Sequence, residues 1–248
     1  MKDRREEWFD AEKKVAVTIV DVTAATEALA SGHLAGPAAT YYLARGLAAV
    51  ALLGAETGSE DEVVSLQVKC SGPLGGLNVE CTHAGTLRGY TEKKVLDDFD
   101  ILTSFKDREI LGDTQVQVTR SVPGRILSQG LSSTLDCYLA GSLQRKASIQ
   151  LEGTRGVLIE ELPDGKDTGV LGVRLKSLQV SSRKLLSELK LARAELRKTT
   201  PLRFACRCSP DRARAMLAAL SADERRSLPP RIDITCHMCG RTFTIPTL

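Results

Sequence analysis

Phe204-Ala-Cys206-Arg-Cys208-Ser209 and Cys236-His-Met-Cys239-Gly240 hold four of the seven cysteines, all within the last 43 residues of a 248-residue chain. Twenty-seven residues separate the two pairs. Four thiolates in two close pairs suit a tetrahedral Zn²⁺ site. CxxC followed by glycine is the zinc-knuckle pattern, in which the glycine lets the chain turn and backbone N–H groups face the sulfurs. CxC is the less common half, because its ligands stand only two positions apart. That proximity also makes each pair a potential disulfide, so the cluster reads as a metal site, a thiol switch or both. The plainest alternative is a structural zinc ribbon that staples a small C-terminal lobe. His237 could replace a thiolate, but four cysteines already complete a tetrahedron.

Working outward, composition sets the frame. The chain is 42% hydrophobic and 26% charged, ordinary values for a chain with one sizeable core and a smaller second unit. Aromatic residues are only 4%, so the core must be built from Leu, Val, Ile and Ala. A net charge of +3 is too weak to demand a nucleic-acid partner. Met1 to Glu7 (MKDRREE) has no apolar h-region, and the apolar run Gly46 to Ala55 is interrupted and short for a bilayer. An odd number of cysteines without an export signal points to a reducing cytoplasm.

Periodicity then predicts elements. Residues 1–14 are charged and read as a ragged or helical lead-in. Val15 to Val20 is β-branched and reads as a strand; Thr23 to Ala30 reads as a short helix. Pro37 opens an Ala-rich, mostly buried helix to Leu53. Residues 63–70, 77–81 and 86–91 then switch to a period of two. The Gly-rich stretch Ser71 to Gly76 lies between two strands and lacks the Lys-Ser/Thr of a phosphate loop, so it reads as a β-turn. Asp97, Asp98 and Asp100 read as a solvated loop, since no EF-hand spacing surrounds them. A hairpin through Val122-Pro-Gly124, a helix over Ser132 to Leu143 and strands at 147–151 and 157–161 follow.

From Arg174 to Lys198 the composition shifts to eight Lys/Arg against two acids, without proline or glycine. Leu178, Leu185, Leu189 and Leu196 recur at spacings of 7, 4 and 7, which predicts one face of a basic amphipathic linker helix. Within the lobe that follows, Ser209-Pro210-Asp211 reads as the cap of a helix to about Leu220. Elsewhere the chemistry is sparse. His33, His83 and His237 are the only histidines, and no His₂Glu, GxSxG or Cys–His pattern assembles. No catalytic site is predicted, and the chain reads as something other than an enzyme. Cys70, Cys81 and Cys137 lie in apolar elements and read as inert packing thiols.

The cysteine arrangement Phe204-Ala-Cys206-Arg-Cys208-Ser209 with Cys236-His-Met-Cys239 resembles that of the redox-regulated heat-shock chaperone family, the thirty-three-kilodalton heat-shock holdases of HslO type. Leu66-Gln-Val-Lys-Cys-Ser-Gly72-Pro73-Leu74-Gly75-Gly76, Gly85-Thr-Leu-Arg88-Gly89-Tyr90 and the helix with Arg45-Gly46-Leu47 carry the likeness into the N-terminal part. One departure is Ser142-Leu-Gln144-Arg-Lys-Ala, where the family usually has Ser-Glu-Gln. The resemblance implies Zn²⁺ on Cys206, Cys208, Cys236 and Cys239. It implies disulfides Cys206–Cys208 and Cys236–Cys239 on oxidation, release of the ion, and capture of unfolding client proteins without ATP. A homodimer of the active form is also implied. The face of Leu178, Leu185, Leu189 and Leu196 is the candidate client surface.

The expected fold is α+β: an N-terminal antiparallel β-sheet domain with packed helices over residues 1–173, a helical linker over 174–200, and a small zinc-binding domain over 201–248. The alternatives are a zinc-ribbon nucleic-acid-binding protein and a zinc-stapled structural protein without redox function. Against the first stands the lack of aromatics beside the basic residues. No membrane partner is expected.

Overall fold

The computed structural model describes residues 2–101, 106–163, 165 and 167–247. Strands β1 (Arg4–Asp10) and β2 (Val15–Asp21) lead into helices α1 (Thr23–His33) and α2 (Pro37–Leu53). Strands β3 (Val63–Cys70), β4 (Gly76–Thr82) and β5 (Thr86–Thr91) follow, then short helices α3 (Asp97–Asp100) and α4 (Asp107–Leu111). Next come β6 (Thr114–Val122), β7 (Arg125–Ser132), α5 (Leu135–Gly141), β8 (Lys146–Glu152) and β9 (Arg155–Glu161). The C-terminal part holds α6 (Ser182–Glu188), β10 (Glu195–Pro201), β11 (Arg203–Phe204), α7 (Pro210–Ala218), α8 (Ala222–Arg226), β12 (Arg231–Thr235) and β13 (Thr242–Pro246).

The core is built around α2. Its small residues let it lie between two sheets, one ordered β10-β1-β2-β9-β8 and the other β11-β5-β4-β3-β6-β7. Pro37 starts the helix with its φ already set and no N–H to lose, and Asp100 accepts from Ala38 N at 2.8 Å. Asp100 is therefore a cap delivered from another element, whereas Asp97 and Asp98 stay exposed. The helix is long and apolar enough to span a bilayer by composition, yet Ala38 to Leu53 is almost wholly buried inside the protein. That is the burial of a central core helix.

The antiparallel sheets and packed helices agree with the α+β expectation, but the single sheet is in fact two. Sheet β10-β1-β2-β9-β8 is covered on both faces. Alternation along β2 and β9 sends Val20 and Leu158 toward α2, and Val15, Val17, Ile19, Val157 and Ile159 into a second cluster on the far side. Val170, Leu178, Leu185, Leu186, Leu189 and Leu191 fill that second cluster.

Two local readings are corrected. Residues 4–10, read as a ragged or helical lead-in, form β1, the strand next to the sheet edge. Its charge pattern concealed Arg5, which is 1% exposed and donates through Nη1 to Ala51 O at 3.1 Å near the C-terminal end of α2. There the helix carbonyls favour a cation. The predicted linker helix over 174–200 is also wrong: only Ser182–Glu188 is helical. Before it, β8 side chains hold the chain extended. Gln150 Nε2 donates to Val173 O at 2.8 Å and its Oε1 accepts from Leu175 N at 3.0 Å, while Glu152 accepts from Leu178 N. After it, Lys190 turns the chain at φ 58°, and residues 195–201 pair antiparallel with β1. Strand pairing and side-chain ties to the sheet outcompete helical propensity, which is a weak preference on its own.

Candidate metal centre

β11 and β12 deliver the cysteine pairs. Cys206 and Cys208 follow β11, and Cys236 and Cys239 flank the turn that joins β12 to β13. Ser209 accepts from Arg212 N at 3.2 Å and caps α7, so the chain leaves Cys208 directly into a helix. At the knuckle, Gly240 N and Cys239 N both donate to Cys236 O, at 2.8 and 3.3 Å. Gly240 sits at φ +72°, the left-handed turn that glycine makes at least cost.

The four sulfurs all lie within 4.8 Å of one another. Cys206 Sγ is 3.8 Å from Cys236 Sγ, and Cys208 Sγ is 3.5 Å from Cys239 Sγ. A sulfur tetrahedron with zinc bonds of about 2.3 Å has edges of about 3.8 Å, so the separations fit such an ion and are far from bonded disulfides. All four thiols are free. Burial opposes ionisation of Cys206, but the N–H of Cys208 and the neighbouring thiols bring it down to about 7. Burial, together with the charge that collects on Cys206, pushes Cys208 and Cys236 up. One thiolate thus forms readily, and a bound cation would be needed to ionise Cys208 and Cys236.

The cluster is docked on the core. Gly89 N on β5 donates to Met238 O at 3.1 Å, and Gly89 O accepts from His33 Nε2 at 2.9 Å. His33 is buried, which holds its imidazole below the ordinary range, so the neutral ring donates through Nε2. A Cβ on Gly240 would fall 2.0 Å from Gly32 O, and a Cβ on Gly32 would fall 2.7 Å from Cys239 O. The knuckle backbone therefore lies directly on the end of α1. Tyr90 and His237 meet edge to face at 5.7 Å. Arg88, paired with Glu80 at 2.6 Å, places its guanidinium beside Cys206, and Arg207 reaches the same Glu80 at 3.6 Å. These supporting residues come from strands remote in sequence, and spacing rules for ligands do not reveal them. Gly240 alone was legible, read as the turn of the knuckle that follows CxxC.

The other candidate residues lie elsewhere. Leu178, Leu185 and Leu189 are buried together on the sheet, 0 to 3% exposed, whereas Leu196 on β10 is 46% exposed and apart from them. Of the three remaining cysteines, Cys81 is buried and its thiol pushed up to about 11 by burial, while Cys70 is half-buried. Cys137 is exposed, contrary to the packing role read for it, because α5 turns Tyr138 and Leu139 to the core instead.

The fold and the site together define an α+β protein with two sheets around a central helix and, at one sheet edge, a lobe whose four cysteines could hold a metal ion. The Hsp33 protein family model matches residues 3–246, and the chain belongs to that family. Relatives include a 33 kDa chaperonin of Thermus thermophilus, 26% identical over 92% of this chain and 79% of its own length. Another, from Synechococcus elongatus, is 27% identical over 93% of this chain and 89% of its own. The fold matches the crystal structure of a 33 kDa chaperonin (heat shock protein 33 homolog) from Thermotoga maritima at a TM-score of 0.86 and 17% identity, covering 100% of this chain and 96% of that one.

Proposed function

We propose that this chain is an oxidation-activated holdase chaperone that works without ATP in the reducing cytoplasm. It is held inactive while Cys206, Cys208, Cys236 and Cys239 bind zinc. The observation that carries the reading is the four-sulfur cluster in a lobe whose own core is only Ala213, Leu217 and Ile245 with a few half-buried neighbours. So small a core does not stand alone. Zinc, when bound, keeps the four sulfurs ionised and adds folding free energy of order 10 kcal/mol to small lobes. The names of the Hsp33 family relatives support the chaperone assignment.

In this reading the thiolates are the sensor. Peroxide oxidises Cys236 with Cys239 and Cys206 with Cys208. Each pair loses two electrons as its S–S bond forms, and each peroxide takes two protons and leaves as two waters. The lobe then loses its staple. The segment from Val170 to Ala194, which covers one face of the five-stranded sheet, is joined to the lobe only through β10 and β11, and loosens with it. Leu178, Leu185 and Leu189 then become available to unfolding clients beside Leu196. The active form associates as a homodimer, as the resemblance implies. No catalytic step is involved.

The test treats reduced, zinc-loaded protein with peroxide, follows zinc with a chromophoric chelator, and scores suppression of aggregation of a thermally unfolding client. Zinc release accompanied by holdase activity is the expected result. Zinc release without any gain in holdase activity overturns the reading. Retention of zinc with unchanged helicity would mark a structural staple instead.

A further inference from the structure

Strand β5 gives its inner side to β4, and its outer side is closed by the residues around the four cysteines, with His33 Nε2 also on Gly89 O. Gly85 O accepts from Arg203 N at 3.0 Å, and Leu87 O accepts from Ala205 N at 3.1 Å. Gly89 N donates to Met238 O at 3.1 Å. Arg203 and Ala205 stand within three residues of Cys206, and Met238 lies between Cys236 and Cys239. Ala205 and Met238 are thus direct chain neighbours of cluster cysteines, whereas Arg203 follows Leu202, whose N–H donates to Asp3 O at 3.1 Å.

The closure is thin. β11 is two residues long and pairs parallel with β5, through Arg203 with Thr86 and Phe204 with Leu87. So short a pairing has no stability of its own. An uncovered strand edge is a template for any extended chain, and natural proteins cover such edges. The cover here shows what fits beneath it: Leu202, 5% exposed, and half-buried Phe204 point into the core beside fully buried Leu87, while Arg203 points out.

We propose that the outer edge of β5 is a client-docking rail, covered by residues 202–205 and Met238 while the cysteines are clustered. When the cluster is lost it accepts one extended segment of an unfolded chain as an added strand. The occupant carries apolar residues at alternate positions, filling the seats that Leu202 and Phe204 vacate. The trigger rests on the redox reading above, whereas the geometry of the edge does not.

The experiment follows backbone amide exchange on the full chain in three forms: reduced and zinc-loaded, peroxide-oxidised, and reduced but stripped by chelator. Each is measured with and without a thermally unfolding client, and with a synthetic peptide of the Thr200–Ala205 sequence. Stripping is expected to speed exchange at the Gly89 amide, which donates to Met238 O, by at least about tenfold while β3 stays protected. Client and peptide then restore protection at Gly89, and the peptide with both Leu202→Lys and Phe204→Lys does not. Unchanged exchange at Gly89 after stripping, loss of protection that spreads equally to β3, or client binding that leaves the Gly89 amide exposed overturns the proposal. If peroxide fails to release zinc or to raise holdase activity, the redox reading fails, and the stripped form still decides the fate of the rail.

Discussion

Gly240 is constrained twice, by its positive φ and by the approach of Gly32 O. Left-handed backbone costs a residue with a Cβ about 1–2 kcal/mol, and here the Cβ would also collide with α1. Gly240→Ala is therefore expected to lower thermal stability by at least about 1 kcal/mol and to free the Gly89 amide, read by thermal melting and by exchange at Gly89. Arg88 acts at the same scale through charge. Its guanidinium bridges Glu80 and the neighbourhood of Cys206, where thiolate charge collects. Arg88→Met is expected to weaken zinc binding about tenfold in competition with a chelator, because supporting groups of this kind tune metal affinity by that order. The turn at Gly240 was legible from the CxxC-Gly pattern, but its contact with Gly32 and the placement of Arg88 were not, because ligand spacing does not report what surrounds the ligands.

Among the elements, the segment from Val170 to Pro201 is the most informative. Leucine spacing of 7, 4 and 7 is compatible with one helical face, yet the chain makes a short extended run, a seven-residue helix and a strand. Leu178, Leu185 and Leu189 still share one apolar surface, because the sheet beneath them gathers apolar residues whatever the local conformation. Leu185→Ala should cost about 2–5 kcal/mol in denaturant unfolding, as expected for a fully buried leucine. Leu196→Ala should stay within about 0.5 kcal/mol, since that side chain is exposed on β10. The strands at 63–70, 76–82 and 86–91 and the helix from Pro37 were legible in sequence because each carries an unbroken period and clear turn residues at its ends. β1 was not, since a buried arginine and two salt-bridged glutamates break its alternation; Arg5 with Glu7 and Arg4 with Glu6 pair along the strand.

At the scale of the whole molecule, two arginines tie the sheets to the connection between α2 and β3. Arg145, from the stretch that departs from the family's Ser-Glu-Gln, pairs with Glu56 and with Glu160. Arg120 on β6 pairs with Glu62 at 2.6 Å and donates to Glu56 O at 2.8 Å. Burial alone would raise the Glu62 pKa, but Gly58 N and Arg120 bring it below the ordinary glutamate value. A carboxyl lowered in the folded state stabilises above its unfolded pKa, and that stabilisation is lost as pH falls through the folded one. Glu62→Gln should therefore be less stable at neutral pH and should lose less further stability on acidification. Denaturant midpoints for both proteins across that range check it, and taking the difference between them cancels titration of the cysteine cluster.

Local sequence determined the elements with unbroken periodicity, the buried central helix, the turn at Ser71 to Gly76 and the pairing of cysteines that could share an ion. These depend on residues a few positions apart, whose spacing and backbone preferences act within one element. Tertiary structure alone decided that residues 195–201 become a sheet edge, that three of four linker leucines lie buried, and that the four-cysteine lobe closes the open side of β5. Those outcomes are set by hydrogen bonds and burial between separate elements, some more than a hundred residues apart, such as Arg203 with Gly85 and Glu195 with Phe9. Contacts at that separation leave no period in the chain.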